Sequence, residues 1–168
     1  MKKINHIIQY TIIGTLFILF KLIGYKASSN LGYLIGKFFG PLFRSKSLII
    51  NNIKKANIKI DQKYGSLASN VLGNYGRIFG EYVHLKNFKN NNLKNYISIE
   101  GLQHLEKIKK ERKKVVFVSG HFNNFELMTM QIQKHGIDCA AIYRPLNNPY
   151  LNKIMEQIRK RDICKNQI

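Results

Sequence analysis

The spacing of apolar and polar positions changes along the chain, and each rhythm predicts different elements. Residues 4 to 20, INHIIQYTIIGTLFILF, carry no charge, and with Lys21 counted as a snorkelling side chain the stretch extends through Tyr25. That approaches the ~20 residues a helix needs to cross the hydrocarbon. Residues 30–43, NLGYLIGKFFGPLF, are apolar all round with glycines at 32, 36 and 40. They suit a second helix packed on the first or on lipid, stopped by Pro41. Residues 47–58, SLIINNIKKANI, place apolar pairs at helical spacing and read as a short amphipathic helix. Over 61–83, Leu67, Val71, Tyr75, Ile78 and Tyr82 follow steps of four and three, which predicts one core-facing stripe.

The second half has a different rhythm. NYISIEG, KVVFVSG and IDCAAIYR read as strands, and LQHLEKIKKER, residues 123–135 and residues 148–162 as helices between and after them. Strands alternating with helices imply right-handed βαβ crossovers and a mainly parallel sheet, with function at the carboxyl ends of the strands. The expected class is therefore α/β: N-terminal membrane-associated helices in residues 1–60, then a partial βαβ sheet in 61–168. The stretch at 86–95, KNFKNNNLKN, is a polar connection.

Charge sharpens the first half. The chain has 28 Lys and Arg against nine Asp and Glu, a formal charge of +19, and residues 1–60 hold ten cations and no acid. Such a half faces an anionic partner, although 22 of the 28 cations are Lys, so part of the excess is compositional. Two lysines precede the apolar segment, while Lys21, Lys26, Lys37, Arg44 and Lys46 come after it. The positive-inside bias then keeps the downstream domain in the cytoplasm. Lys21 and Lys26 stand where a cleavage site of small residues would be, so an uncleaved anchor is expected rather than a signal peptide. Asn5, His6 and Gln9 also suit a helix lying in the interface. Two cysteines, Cys139 and Cys164, with no second pair indicate neither a disulfide framework nor a zinc site. No DNA- or RNA-reading module is recognisable, so nucleic acid is not the expected partner.

The candidate chemistry lies in VVFVSGHFNNFEL, residues 115–127. His121 directly follows the expected strand. Five residues within one helix would set His121 and Glu126 ~140° apart around the axis. With His121 in the turn and Asn123 opening the helix, Glu126 falls in the first turn and can point back to the imidazole. A carboxylate on one ring nitrogen fixes the tautomer and leaves the other as a general base. The same residues, Asn123-Asn124-Phe125-Glu126, also read as a capping box in which Glu126 serves only the helix end.

SGHFNNFEL followed by YRPLNNPYLNKIMEQIRKR resembles the lipid A biosynthesis acyltransferases, the late lauroyl/myristoyl transferases. That family carries His-x4-Asp/Glu in a Gly-His-aromatic setting, then Tyr-Arg-Pro-x-x-Asn-Pro and an arginine about a helix later. The resemblance implies a sheet of the glycerolipid-acyltransferase type. It makes His121 the base for a hydroxyl of the lipid A precursor, Glu126 its orienting partner, and Arg159 the third catalytic candidate, near the reacting carbonyl or a lipid phosphate. Arg144, Asn148 and Arg161 are candidates for substrate binding. For Arg159 and Arg161 a solvated helix face, and for Asn148 a turn-shaping role, are the plain alternatives. The implied donor is acyl-acyl carrier protein, the acceptor a lipid A precursor glycolipid, the surroundings inner-membrane lipids on the cytoplasmic face, with no metal or organic cofactor. The resemblance reaches only the N-terminal half of the family's usual length, so 61–168 is expected to be an acyltransferase domain truncated at its C-terminus, and an inactive fragment is one expectation. The rival readings are a lysophosphatidic acid acyltransferase, against which Glu126 and the YRPLNNP run speak, and a non-catalytic basic membrane protein.

Overall fold

The computed structural model describes residues 2–57 and 63–168. The boundary expected at 60/61, the last residue of the helix expected over 47–58 and the first two of that expected over 61–83 lie outside the described residues. Helices dominate: α1 Lys2–Ile23, α2 Tyr25–Phe43, α3 Lys46–Lys55, α4 Tyr64–Glu81, α5 Leu85–Lys89, α6 Leu102–Glu111, α7 Glu126–Lys134 and α8 Pro149–Asp162. Two short strands, β1 Ala140–Ala141 and β2 Asn166–Gln167, pair in parallel with Ala140 opposite Asn166. The chain forms two compact units, one of residues 16–83 and one of the residues up to Thr15 together with His84–Ile168.

In the unit of residues 16–83, α2 packs along α4 through small residues. A Cβ added at Gly32 would collide with the carbonyl oxygen of Gly76, and one at Gly76 with that of Gly32. The two backbones therefore touch, which only glycine permits. Between them the Ser29 hydroxyl donates to Glu81 Oε1 at 2.7 Å and accepts from Arg77 Nη1 at 3.1 Å, which satisfies a carboxylate buried in an apolar seam. Phe17 and Phe20 of α1 stack on Phe79 at 4.9 and 6.1 Å between ring centroids.

This seam corrects the expected stripe in part: Ile78 and Tyr82 are buried as expected. Tyr75 is 55% exposed, while Ala68, Leu72, Gly73 and Gly80 are buried alongside Ile78. Close backbone approach favours the small residues over the large ones. Pro41 also lies inside α2 instead of stopping it; the helix runs on only to Phe43.

In the other unit the core gathers Leu85 and Phe88 of α5, Met130 and Ile132 of α7, and Ile163 and Cys164 after α8. α5 packs on both α7 and α8. The three helices expected at 102–112, 123–135 and 148–162 form as α6, α7 and α8, with α7 starting three residues late. The sheet is smaller than the pattern predicts. Residues 97–101 and 113–122 adopt no regular element, and Val116 and Val118 are 88% and 90% exposed. Their β-branched composition fits a pleated, half-buried surface, but a strand persists only where a neighbour takes up its N–H and C=O groups. Among the described residues only β1 and β2 meet that condition.

Candidate functional site

The site residues fall in the unit that contains α7, α8 and the segment before α7. Asn123 takes a left-handed backbone, φ 45°, a conformation asparagine tolerates better than most residues. This bend sets His121 ahead of the helix and lets Glu126 open it. Phe125 occupies the cap position without a side-chain hydrogen bond, so the capping-box arrangement with Asn123 as cap does not form.

The Glu126 carboxylate turns to α8 instead. Arg159 Nε donates to Glu126 Oε1 at 2.8 Å, and Arg159 Nη2 lies 2.7 Å from the same oxygen. Both side chains are sheltered, with 8% of the Glu126 and 17% of the Arg159 side chain exposed. Charge-assisted bonds in such surroundings are short and directional. A face of the guanidinium rests on the Tyr143 ring, 5.1 Å from its centroid. The Tyr143 hydroxyl donates to Asn152 Oδ1 at 2.9 Å, and the Leu146 N–H donates to the same atom at 2.8 Å. A relay of contacts thus runs from Asn152 near the start of α8, through Tyr143 after β1, to Arg159 in the last turn of α8 and the carboxylate at the start of α7.

Of the candidates, the structure brings Glu126 and Arg159 together. His121 is exposed, its ring tilted on Phe125 at 4.1 Å between centroids, and no hydrogen bond joins it to Glu126. Arg144 is exposed, shortly after β1. Arg161 points to Asp162, with Nε 3.0 Å from each carboxylate oxygen; that hydrogen bond raises the arginine above its usual range. Asn148 is buried and caps α8, accepting from Tyr150 and Leu151 N–H at 3.1 and 3.4 Å. Its amide donates to His6 O and Gln9 Oε1 of α1 at 2.9 and 3.0 Å. It therefore joins the two helices, the turn-shaping role allowed for in the sequence.

Asn152 escaped the sequence reading. One signal was available: it lies seven residues before Arg159, which places both on one face of a helix. Among the described residues no group of three or more His, Cys, Asp and Glu could hold a metal ion. Cys139 and Cys164, free thiols, lie with their sulfurs 3.9 Å apart.

The family model described as bacterial lipid A biosynthesis acyltransferase matches residues 1–165, nearly the whole chain. No curated protein and no solved structure matches the chain.

Proposed function

Because the chain belongs to the bacterial lipid A biosynthesis acyltransferases, we propose that it moves a fatty acyl group from acyl carrier protein to a hydroxyl of a lipid A precursor. The observation that carries this reading is the sheltered Glu126–Arg159 pair at the start of α7, five residues along the chain from an exposed imidazole.

His121 removes the proton of the acceptor hydroxyl as the oxygen attacks the thioester carbonyl. The tetrahedral intermediate then collapses, the carrier thiolate leaves, and the imidazolium returns the proton to it. An exposed base suits this work, because both the alcohol and the carrier arm must reach it. Glu126 orients the imidazole, for which the ring leaves Phe125 and turns toward the carboxylate. Catalytic hydrogen bonds are often open in the free enzyme and close in the Michaelis complex. Arg159 acts through Glu126, holding one oxygen so that the carboxylate keeps one rotamer. Arg144 and Arg161, both on the exposed surface, face the anionic groups of the glycolipid, and Asn148 serves by fixing α8.

The apolar helix α1, long and apolar enough to cross a membrane, keeps the protein at the inner membrane. Its lysine flanks favour the cytoplasmic side, where a basic surface meets the acidic carrier.

The test is transfer of labelled acyl chains from acyl carrier protein to a lipid A precursor in the presence of vesicles, with lysophosphatidic acid as competing acceptor. Transfer to the glycolipid is expected, falling ~10²- to 10⁴-fold in His121→Ala. No transfer, equal rates in the variant, or preference for lysophosphatidic acid would sink the proposal.

A further inference from the structure

We propose that the C-terminal end of α2, with the cations that follow it, is a docking surface for an anionic phospholipid bilayer, separate from α1. The backbone seam with α4 decides which face of α2 is covered: Gly32 and Gly36 lie against Gly76, and Gly40 against Leu72. The last two turns of α2 carry large residues that this seam leaves uncovered. Phe38, Phe39, Leu42 and Phe43 are 70%, 56%, 78% and 87% exposed. Positions 38 and 42, like 39 and 43, are one turn apart on a helix, so the four make one patch. A cluster of this size on an otherwise paired helix marks a surface that meets an apolar partner.

Charge selects the partner. Arg44 and Lys46, both exposed, stand directly after the patch, where α2 ends and α3 begins. Aromatic and leucine side chains rimmed by Arg and Lys are the composition of interfacial membrane contacts, the rings entering the acyl boundary while the cations stay at the headgroups. A second copy of the chain fits worse. Its patch would bring Arg44 and Lys46 against their own equivalents, and residues 1–60 contain no acid to answer them.

The chain has no tryptophan, so Phe43→Trp in the full-length protein supplies a single indole reporter at the patch. The protein is reconstituted with vesicles of phosphatidylcholine alone or mixed with phosphatidylglycerol, with and without brominated acyl chains. Expected is a blue shift of the indole emission and loss of most of it to brominated chains, in the phosphatidylglycerol vesicles only. Adding Arg44→Glu and Lys46→Glu returns the emission to its water-exposed position, while α1 still carries the protein down with the vesicles. Phe38→Trp repeats the measurement from the next turn, and Tyr75→Trp on α4 stays unquenched. Three results overturn the proposal: water-like emission from the Phe43→Trp protein in every vesicle, quenching indifferent to phosphatidylglycerol and to charge reversal, or a blue shift without lipid accompanied by a dimeric mass. None of these readouts depends on acyl transfer, so they stand or fall apart from the catalytic reading.

Discussion

At the scale of single residues, the Glu126 oxygen held by two nitrogens of Arg159 is the contact whose loss is expected to be felt most. Removing one partner of a sheltered ion pair costs ~3–5 kcal/mol. Glu126→Ala is therefore expected to lower the stability measured by urea unfolding by an amount in that range. Arg159→Lys should lower it less, since the charge remains but one nitrogen cannot replace the paired Nε and Nη2. Equal stability of wild type and Glu126→Ala would show that the pair does not hold α7 to α8.

A second residue-level expectation concerns Cys139, whose thiol is pushed up to about 11, by burial first and then by Cys164 and Asp138. The fold favours the protonated thiol. Its contribution to stability is full below the ordinary thiol value of ~8.5 and is lost as pH climbs toward the raised one. Alkylation of Cys139, followed by peptide mass, should keep rising with pH through the ordinary thiol value and level off only near about 11. A rate that levels off near the ordinary thiol value would contradict the burial of this sulfur.

At the scale of elements, helices were legible from periodicity because each contains its own hydrogen bonds. The expected spans at 102–112 and 148–162 fall within two residues of α6 and α8. The face that α4 buries was legible only in part: Ile78 and Tyr82 of the expected stripe are buried, whereas Tyr75 is exposed. Large residues at steps of four and three suggested one stripe, yet the seam is built from glycines, whose value appears only when another backbone comes within reach. The prediction at this scale is that Gly76→Val forces α2 and α4 apart, costing ~1–3 kcal/mol as overpacking does, read as a lower thermal midpoint. Gly65→Val, at a position with open space around it, should leave the midpoint unchanged or slightly higher, since valine is no worse a helix former than glycine. Equal losses at both positions would remove the argument for a backbone seam. The stretch at 113–122 carries the opposite lesson. Valine-rich composition makes a segment fit for a sheet, but a strand is a relation between two segments, and no periodicity within one can supply the other.

At the scale of the whole molecule, the sequence alone determined the uneven distribution of charge, the apolar N-terminal helix, the positions of most helices and the family to which the chain belongs. These follow from local spacing and from residue types counted along the chain, which no folding can alter. The same string placed His121 and Glu126 close together, because a turn followed by a helix start is a local event. Tertiary structure alone decided which partner Glu126 takes. His121 and Arg159 are respectively five and 33 residues away from it along the chain, and only the packing of α7 and α8 brings the guanidinium into hydrogen-bond range. It also decided that Asn148 ties α8 to α1, that small residues form the α2–α4 seam, and that the paired sheet is confined to β1 and β2 among the described residues. Each of these depends on groups far apart in the chain meeting at short range, where a few tenths of an ångström separate a bond from a collision.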